Sequence, residues 1–289
     1  MAGLQDIRRR IRSVKNTQQV TKAMKMISAV KLRKSQESLL ALRPYAAKML
    51  DVVRNVVTRS EELGASVDSP IAQAFLAPRE EKNIRLVVIA SDKGLCGGFN
   101  ANVLKQATAF VTTTGSRIVH LDAVGKRAAD WARKRGMAYA ADRTGIALAG
   151  LPALAQEIAV EAAKQYEAGE IDALYVIHNY FASALAQVPT TLRIFPMEIP
   201  AHADEAVPPL LEPSPAKVLD ALLPRFIETT FLHALLESSA SEHGARMAAM
   251  DKASTNAEDM IARLTLNMNK LRQASITNQI IEIVSGANA

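Results

Sequence analysis

Apolar side chains recur at alternating intervals of three and four residues through the first 56 positions of the chain. Along this series, from Leu4 to Val56, eleven of the twelve positions outside residues 18–28 are apolar. Such spacing gives a helix one apolar stripe and is the pattern of coiled coils. We therefore predict a helix over residues 4–57. It needs a second helix beside it, because a lone helix of this kind is unstable in water.

The pattern changes within residues 18–28, where the same heptad positions are polar. Apolar residues move by one or two positions there, to Val20, Ala23, Ile27 and Val30. A local break in heptad phase would make the apolar stripe step around the helix, and we predict such a step. We also predict a bend at Pro44, whose backbone nitrogen cannot donate a hydrogen bond.

A second series of the same kind runs from Met250 to Ile281, with eight of its ten positions apolar. It predicts a long helix over about residues 215–285, with a kink near Pro224. Because the chain leaves along the first helix and returns along this one, the two helices should form an antiparallel coiled coil.

Strand and helix patterns alternate between the two long helices. The predicted strands are Ile84–Ala90, Ile118–Ala123, Ala173–Asn179 and Val188–Phe195, and the predicted helices are Asn100–Thr113, Lys126–Arg135 and Leu154–Ala168. This alternation favours an α/β fold with a mainly parallel, Rossmann-like sheet. Pro189 marks the last strand as marginal, because proline cannot donate to a central sheet ladder.

These patterns predict a discontinuous domain organisation. Residues 1–60 and 212–289 would form the coiled-coil shaft, and residues 77–200 the inserted α/β domain. Residues 61–76 and 201–211 would be linkers, the second of which is rich in proline.

Positive charge is concentrated in the first helix. Residues 1–60 contain 14 Lys and Arg against three acidic residues, whereas residues 215–289 contain seven against eight. A solvated helix face is the ordinary explanation, but such an excess also attracts an acidic partner. Nucleic acid is the alternative partner. It is disfavoured because no aromatic residues interleave with the basic ones to stack on bases.

The segment 91–98 (SDKGLCGG) follows a predicted strand and precedes a helix, where α/β proteins often bind phosphates. Its glycines match neither the dinucleotide nor the phosphate-loop spacing. Lys93 could lower the pKa of the Cys96 thiol, yet no His or second Cys lies nearby in sequence. We interpret the glycines and the thiol as structural. The five histidines show no metal-ligand spacing. We therefore expect no catalytic residue, metal or cofactor.

No apolar run approaches the roughly 18 residues of a membrane span. The single cysteine suits a reducing compartment. An arginine-rich start can mark an organellar transit peptide, but the helical pattern is unbroken from Leu4 onward. We therefore expect no transit peptide and a bacterial, cytoplasmic location.

Four stretches in order along the chain closely resemble gamma subunits of F-type ATP synthases. They are residues 13–27 (SVKNTQQVTKAMKMI), 91–100 (SDKGLCGGFN), 241–247 (SEHGARM) and 276–289 (ITNQIIEIVSGANA). Four matches in register are far more specific than any single motif. The chain is thus identified as a member of this family.

The resemblance implies a non-catalytic rotor shaft of a proton-translocating complex. In that family the coiled coil stands inside a hexamer of alpha and beta subunits, which hold the nucleotide sites. The α/β domain and the base of the coiled coil meet the c-ring and the epsilon subunit. The chain would touch the membrane only through the c-ring, at the cytoplasmic face of the bacterial plasma membrane, and would bind no nucleic acid.

The resemblance also implies contact residues. Those matching family positions that face the beta subunit are Lys22, Met24, Lys25, Arg246, Arg272, Gln273, Thr277, Gln279 and Glu282. Glu212 matches a position facing the c-ring. The chain departs from the family at Gln279, where Glu is usual. It also lacks the cysteine-bearing insertion of chloroplast members.

Overall fold

The computed structural model describes residues 4–62, 75, 79–141, 143–197, 212 and 214–287. Its helices are α1 (Leu4–Glu62), α2 (Phe99–Thr114), α3 (Lys126–Lys134), α4 (Leu151–Glu167) and α5 (Pro215–Ala287). Its strands are β1 (Ile84–Ile89), β2 (Ile118–Val124), β3 (Ala173–Phe181) and β4 (Gln187–Phe195). Short 3-10 turns precede β2 and α4, at Gly115–Arg117 and Leu148–Gly150.

Each predicted strand and helix is therefore confirmed, with ends that differ by a few residues. Pro44 and Pro224 both lie inside helices described without interruption, and the bends expected there stay predictions. Of the predicted linkers, residues 63–74 and 201–211 lie outside the described residues. The domain boundaries inferred from the sequence also stay predictions.

The strands of the described residues form one sheet in the order β2-β1-β3-β4. β1 pairs in parallel with both β2 and β3, whereas β4 runs antiparallel to β3 at the sheet edge. The predicted α/β class with a mainly parallel sheet is thus confirmed. Pro189 lies on the edge strand, where a missing amide donor costs least.

The chain divides into two compact units, residues 30–245 and residues 1–29 with 246–289. In the larger unit the sheet is buried on both faces, and all six residues of β1 are buried, five of them apolar and the sixth Arg85. One face packs on α2 and α3, through residues such as Val103 and Trp131. The other face packs on α4 and on the basal parts of α1 and α5, for example through Val53 and Phe231.

In the smaller unit the first residues of α1 lie beside the last part of α5. The Thr21 hydroxyl lies 2.8 Å from that of Ser254, and Lys25 Nζ lies 2.6 Å from Asp251 Oδ1. Residue numbers rise on one helix as they fall on the other. The pair is antiparallel, as predicted.

Candidate partner-contact surfaces

The seam between α1 and α5 keeps its heptad phase through residues 18–28. Thr21 and Ser28 are buried, whereas Val20, Ile27 and Val30 are 58%, 59% and 58% exposed. The predicted step of the apolar stripe is therefore wrong. Thr21 occupies the seam with its hydroxyl close to that of Ser254, and such a hydrogen bond offsets the cost of burying a hydroxyl group.

Thr21 and Ser254 show how this polar part of the seam is satisfied. Ser254 Oγ donates to the Met250 carbonyl oxygen at 2.8 Å, so the single Thr21 hydroxyl proton goes either to Ser254 Oγ or to the Gln18 carbonyl oxygen, which lies 3.0 Å away. Lys25 and Asp251 add an ion pair at the border of the seam. Polar seam positions fix the register of paired helices at some cost in stability.

The predicted contact residues of α1 take three different positions. Lys22 is exposed, Met24 is half-buried, and Lys25 is already paired with Asp251 of its own chain. Sequence reasoning missed the apolar surface beside them: Met26 is 67% exposed, next to Ile27 and near Val20. The signal is the apolar series Val20, Ala23, Ile27 and Val30, which heptad reasoning alone places in the seam.

The end of α5 runs past the described part of α1. Leu4 lies seventeen residues before Thr21, and Leu271 lies the same distance after Ser254, so the antiparallel register ends near Leu271. Beyond it, the predicted seam positions Ala274, Asn278 and Ile281 are exposed, which corrects that part of the predicted stripe. Upstream, Met260 is exposed too, whereas the neighbouring Ile261 is half-buried.

We call residues 272–287 the α5 overhang. Four of its large apolar side chains are exposed, namely Ile276, Ile280, Ile281 and Ile283. The predicted contact residues Arg272, Gln273, Thr277 and Gln279 are exposed as well, and the Thr277 hydroxyl donates to the Gln273 carbonyl. The Glu282 side chain lies outside the described residues. The structure thus brings together four of the predicted residues on one segment.

Two further predicted contact residues lie elsewhere. Arg246 is only 7% exposed, so its own chain covers it. Glu212 is exposed, and its two neighbours in sequence lie outside the described residues. Neither is near the α5 overhang in sequence.

Side chains of the segment 91–98 form hydrogen bonds with other residues of the same chain. Asp92 accepts hydrogen bonds from the amides of Lys126 and Gly145, both at 2.9 Å. Buried Cys96 accepts from Asn100 Nδ2 at 3.1 Å. The segment lies at the carboxyl end of β1, between β2 and β3, where open α/β sheets bind ligands.

Helix α5 covers this end of the sheet. Ala245 packs with Cys96 and Phe99, and Gly244 approaches Ala184 in the β3–β4 turn. The position that α/β enzymes use for a ligand is thus filled here by a helix of the same chain.

Sequence reasoning also missed a network of charged residues beside β2. Asp122 is fully buried between Arg85 and Arg143, and both guanidinium groups also reach Glu161 on α4. Burial of the carboxyl group opposes ionisation, but hydrogen bonds and charge from Arg85, together with Arg143, lower the pKa of Glu161. No sequence motif indicated these pairs, because their members lie far apart in the chain.

No described helix is long and apolar enough to cross a bilayer. Likewise, the described residues contain no cluster of three or more His, Cys, Asp and Glu side chains that could hold a metal ion.

Comparison with known proteins gives full-length matches. A family model described as ATP synthase matches residues 3–289. The chain is 44% identical to the ATP synthase gamma chain of Pelotomaculum thermopropionicum over 291 residues, covering all of this chain and 99% of that one. It is 46% identical over 289 residues to the ATP synthase gamma chain of Solibacter usitatus, with the same coverage.

Two solved structures share the fold. A chain in the central stalk and c-ring of Tetrahymena thermophila mitochondrial ATP synthase gives a TM-score of 0.55 at 24% identity, covering 81% of this chain and 99% of that chain. One in the Euglena gracilis mitochondrial ATP synthase (OSCP, F1 and c-ring) gives 0.61 at 15% identity, covering 99% and 94%. The full-length sequence matches lead to one conclusion: the chain belongs to the family of ATP synthase gamma chains.

Proposed function

We propose that this chain is the central rotor shaft of a proton-translocating F-type ATP synthase. It carries no active site and couples rotation of a c-ring to conformational change at the catalytic sites of the beta subunits. Its partners are the alpha and beta subunits, the epsilon subunit and the c-ring. It belongs to the peripheral part of this membrane complex, at the cytoplasmic face of a bacterial plasma membrane.

The α5 overhang is the observation that carries this proposal. Four exposed isoleucines on one short helical segment are unusual, because large apolar side chains are normally buried. An apolar sleeve formed by a ring of larger subunits supplies the cover for these side chains.

The asymmetry of the shaft explains how it would act on a ring of three equivalent sites. Residues 1–60 carry 14 basic and three acidic residues, whereas residues 215–289 are nearly neutral. Each beta subunit therefore meets a different surface of the shaft at any one angle. A partner surface shifts a conformational equilibrium only through its differential contacts. Every 1.4 kcal/mol of difference changes the relative population about tenfold.

We assign the beta-subunit contacts to two surfaces. The first lies on α1 and comprises Lys22 and Met24 with the exposed apolar residues Val20, Met26 and Ile27; Lys25 would contact beta only beside its bond to Asp251. The second is the α5 overhang, with Arg272, Gln273, Thr277, Gln279 and Glu282. Arg246 would contact beta only through its small exposed fraction. Glu212 would face the c-ring.

Co-expression with alpha, beta and epsilon subunits tests the proposal. We expect one copy of this chain for each three alpha and three beta subunits. A bead fixed to the chain should rotate when ATP is added. Failure to co-purify, or ATP hydrolysis by the isolated chain that is lost in Lys93→Ala, would overturn the rotor assignment in favour of an enzyme.

A further inference from the structure

Strand β3 extends beyond its neighbour β1. β1 pairs only with Ala173–Ile177, whereas β3 continues to Phe181. On that side, the last four residues of β3 have no strand partner among the described residues. Backbone groups left open at a sheet edge need another partner when they are buried.

Side chains of α5 take the place of the missing strand. The Phe181 amide donates to Glu237 Oε2 at 2.6 Å. The Ser241 hydroxyl donates to the Asn179 carbonyl at 3.1 Å. Residues 237, 241 and 244 share one helix face, because their spacings are four and three.

Gly244 completes this face by allowing a close approach. A Cβ atom built there would lie 3.1 Å from Ala184 Cα and 3.1 Å from the Phe181 ring. That distance is tighter than ordinary van der Waals contact, so a side chain would push the helix from the turn. We call Glu237, Ser241 and Gly244, with their partners on residues 179–184, the helix–sheet joint.

The joint contains buried polar and ionisable side chains, which packing α5 against the sheet does not require. Glu237, Ser241 and Asn179 are all fully buried. Glu237 Oε1 accepts no hydrogen bond within the described part of the chain and lies 3.7 Å from His233 Nε2. Burying a carboxylate in this way costs stability. Apolar residues would pack α5 against the sheet at lower cost.

The buried polar side chains Glu237 and Ser241 form directional contacts, which apolar side chains cannot form. Apolar contacts are non-directional and allow one surface to slide over another. A hydrogen bond weakens steeply when its angle or length changes, and therefore resists sliding. A rotor shaft must carry tangential force between its globular domain and its helices, and the joint supplies directional contacts at that junction.

We propose that Glu237, Ser241 and Gly244 form the joint through which torque passes between the α/β domain and helix α5. This inference rests on the proposed rotor function. α5 is a single helix from Pro215 to Ala287, so force applied at the joint is transmitted along the helix that ends in the overhang.

Two serines two residues apart on α5 provide a matched test. Ser241→Ala removes the hydrogen bond to the sheet. Ser239→Ala removes a 3.0 Å hydroxyl contact with Ser35 on α1 and leaves the joint intact. Both variants lose one hydroxyl interaction, so a purely structural effect should be similar in the two.

The measurement is the angular fluctuation of a rotor paused during ATP hydrolysis in the assembled complex. A bead would be attached to the α/β domain through a cysteine introduced at exposed Lys105. If one of the two hydrogen bonds of the joint is lost, we expect the angular variance of Ser241→Ala to rise by up to about twofold. Ser239→Ala should match the parent. Gly244→Ala, which disturbs the joint by steric means, should also raise the variance.

The outcomes separate the two proposals. If the parent rotates and the angular variances of Ser241→Ala and Gly244→Ala equal that of Ser239→Ala, the joint does not carry torque, although the rotor assignment stands. If the parent assembles but does not rotate at all, the rotor function itself fails, and the joint fails with it.

Discussion

The hydroxyl groups of Thr21 and Ser254 lie 2.8 Å apart in the buried seam between α1 and α5. Coiled-coil seams are ordinarily apolar, so this pair exchanges hydrophobic stabilisation for a fixed register. It also sets where α1 stops covering α5. The length of the exposed α5 overhang follows from that register.

Removing the Thr21 hydroxyl should cost little, and removing both hydroxyls should cost less than the two single changes together. Thr21→Val loses one hydrogen bond, worth about 1 kcal/mol, but Ser254 keeps its bond to Met250. In Thr21→Val/Ser254→Ala no hydroxyl is left to satisfy, so coupling between the sites should be favourable. Chemical unfolding of the full chain gives the free energy of unfolding of the parent, the two single variants and the double variant, which together form a double-mutant cycle. Strict additivity would show that the two hydroxyls do not interact.

Arg85 should be among the residues most sensitive to substitution in the α/β domain. Its side chain is 1% exposed and pairs with the fully buried Asp122. Arg85→Met leaves that carboxylate with Arg143 alone, so unfolding free energy should fall by about 3 kcal/mol or more. Arg133→Met removes an exposed partner of Asp130 and should leave stability nearly unchanged. Equal effects of the two variants would contradict the assigned role of the buried network.

Acid should destabilise the chain through His178. Burial, with a smaller effect of the His233 charge, lowers the pKa of His178 from 6.5 to about 4. Between pH 6.5 and pH 4 the His178 imidazole is therefore protonated in the unfolded chain but not in the folded chain. The contribution of His178 to the free energy of unfolding is fully present above pH 6.5 and is lost as the pH falls toward 4.

Through His178, the free energy of unfolding should fall by about 3 kcal/mol in total as the pH falls from 6.5 to 4. His178→Phe keeps a ring of similar size but cannot bind the proton, so its unfolding free energy should vary less between pH 6.5 and 4. Denaturant unfolding at several pH values gives the comparison. An identical pH dependence in the parent and the variant would exclude His178 as the source.

The apolar character of the α5 overhang should determine how firmly the shaft is held. Ile280→Asp replaces an exposed isoleucine with a carboxylate. If a partner covers that side chain, its loss costs about 1–2 kcal/mol, so the shaft should leave the assembled ring about 5- to 30-fold faster. Asn278→Asp introduces the same charge at a polar, exposed position nearby and serves as the control. Equal dissociation rates for the two variants would mean that Ile280 faces solvent in the complex.

Charge at the overhang should matter at Arg272 more than at Gln279. Gln279→Glu should change turnover of the assembled complex by less than about tenfold, which corresponds to about 1.4 kcal/mol. Arg272→Glu reverses a charge that we place against beta and leaves any buried acceptor there unpaired. Turnover of the assembled complex should therefore fall clearly more in Arg272→Glu than in Gln279→Glu. Single-molecule rotation rates would establish the order, and the opposite order would mean that a different face of this helix meets beta.

Much of the fold could be predicted because its signals are local. Heptad spacing identified α1 and α5, and apolar runs bounded by glycine or a change of pattern identified β1 to β4. The family assignment depended on four short stretches whose order and spacing are properties of the chain alone. None of these inferences required knowing which distant residues meet.

The errors arose where two helices had to be placed beside each other. The apolar series at Val20 and Ile27 predicted the seam, yet these residues face outward while Thr21 and Ser28 are buried. Burial of a hydroxyl becomes tolerable only when a partner such as Ser254 is present, and that partner lies 233 positions away. The length of the α5 overhang could not be predicted for the same reason, because it depends on the register of the pair.

The sequence by itself determined the helices, the strands, their order and the family, because hydrophobic periodicity and turn residues act over a few positions. Only the tertiary structure decided that α5 fills the ligand position at the end of β1, that Asp122 lies between Arg85 and Arg143, and that Glu237 and Ser241 complete β3. These features join residues from distant parts of the chain. They are selected by the hydrogen-bonding and packing needs of buried groups, which arise only once the fold has brought those groups together.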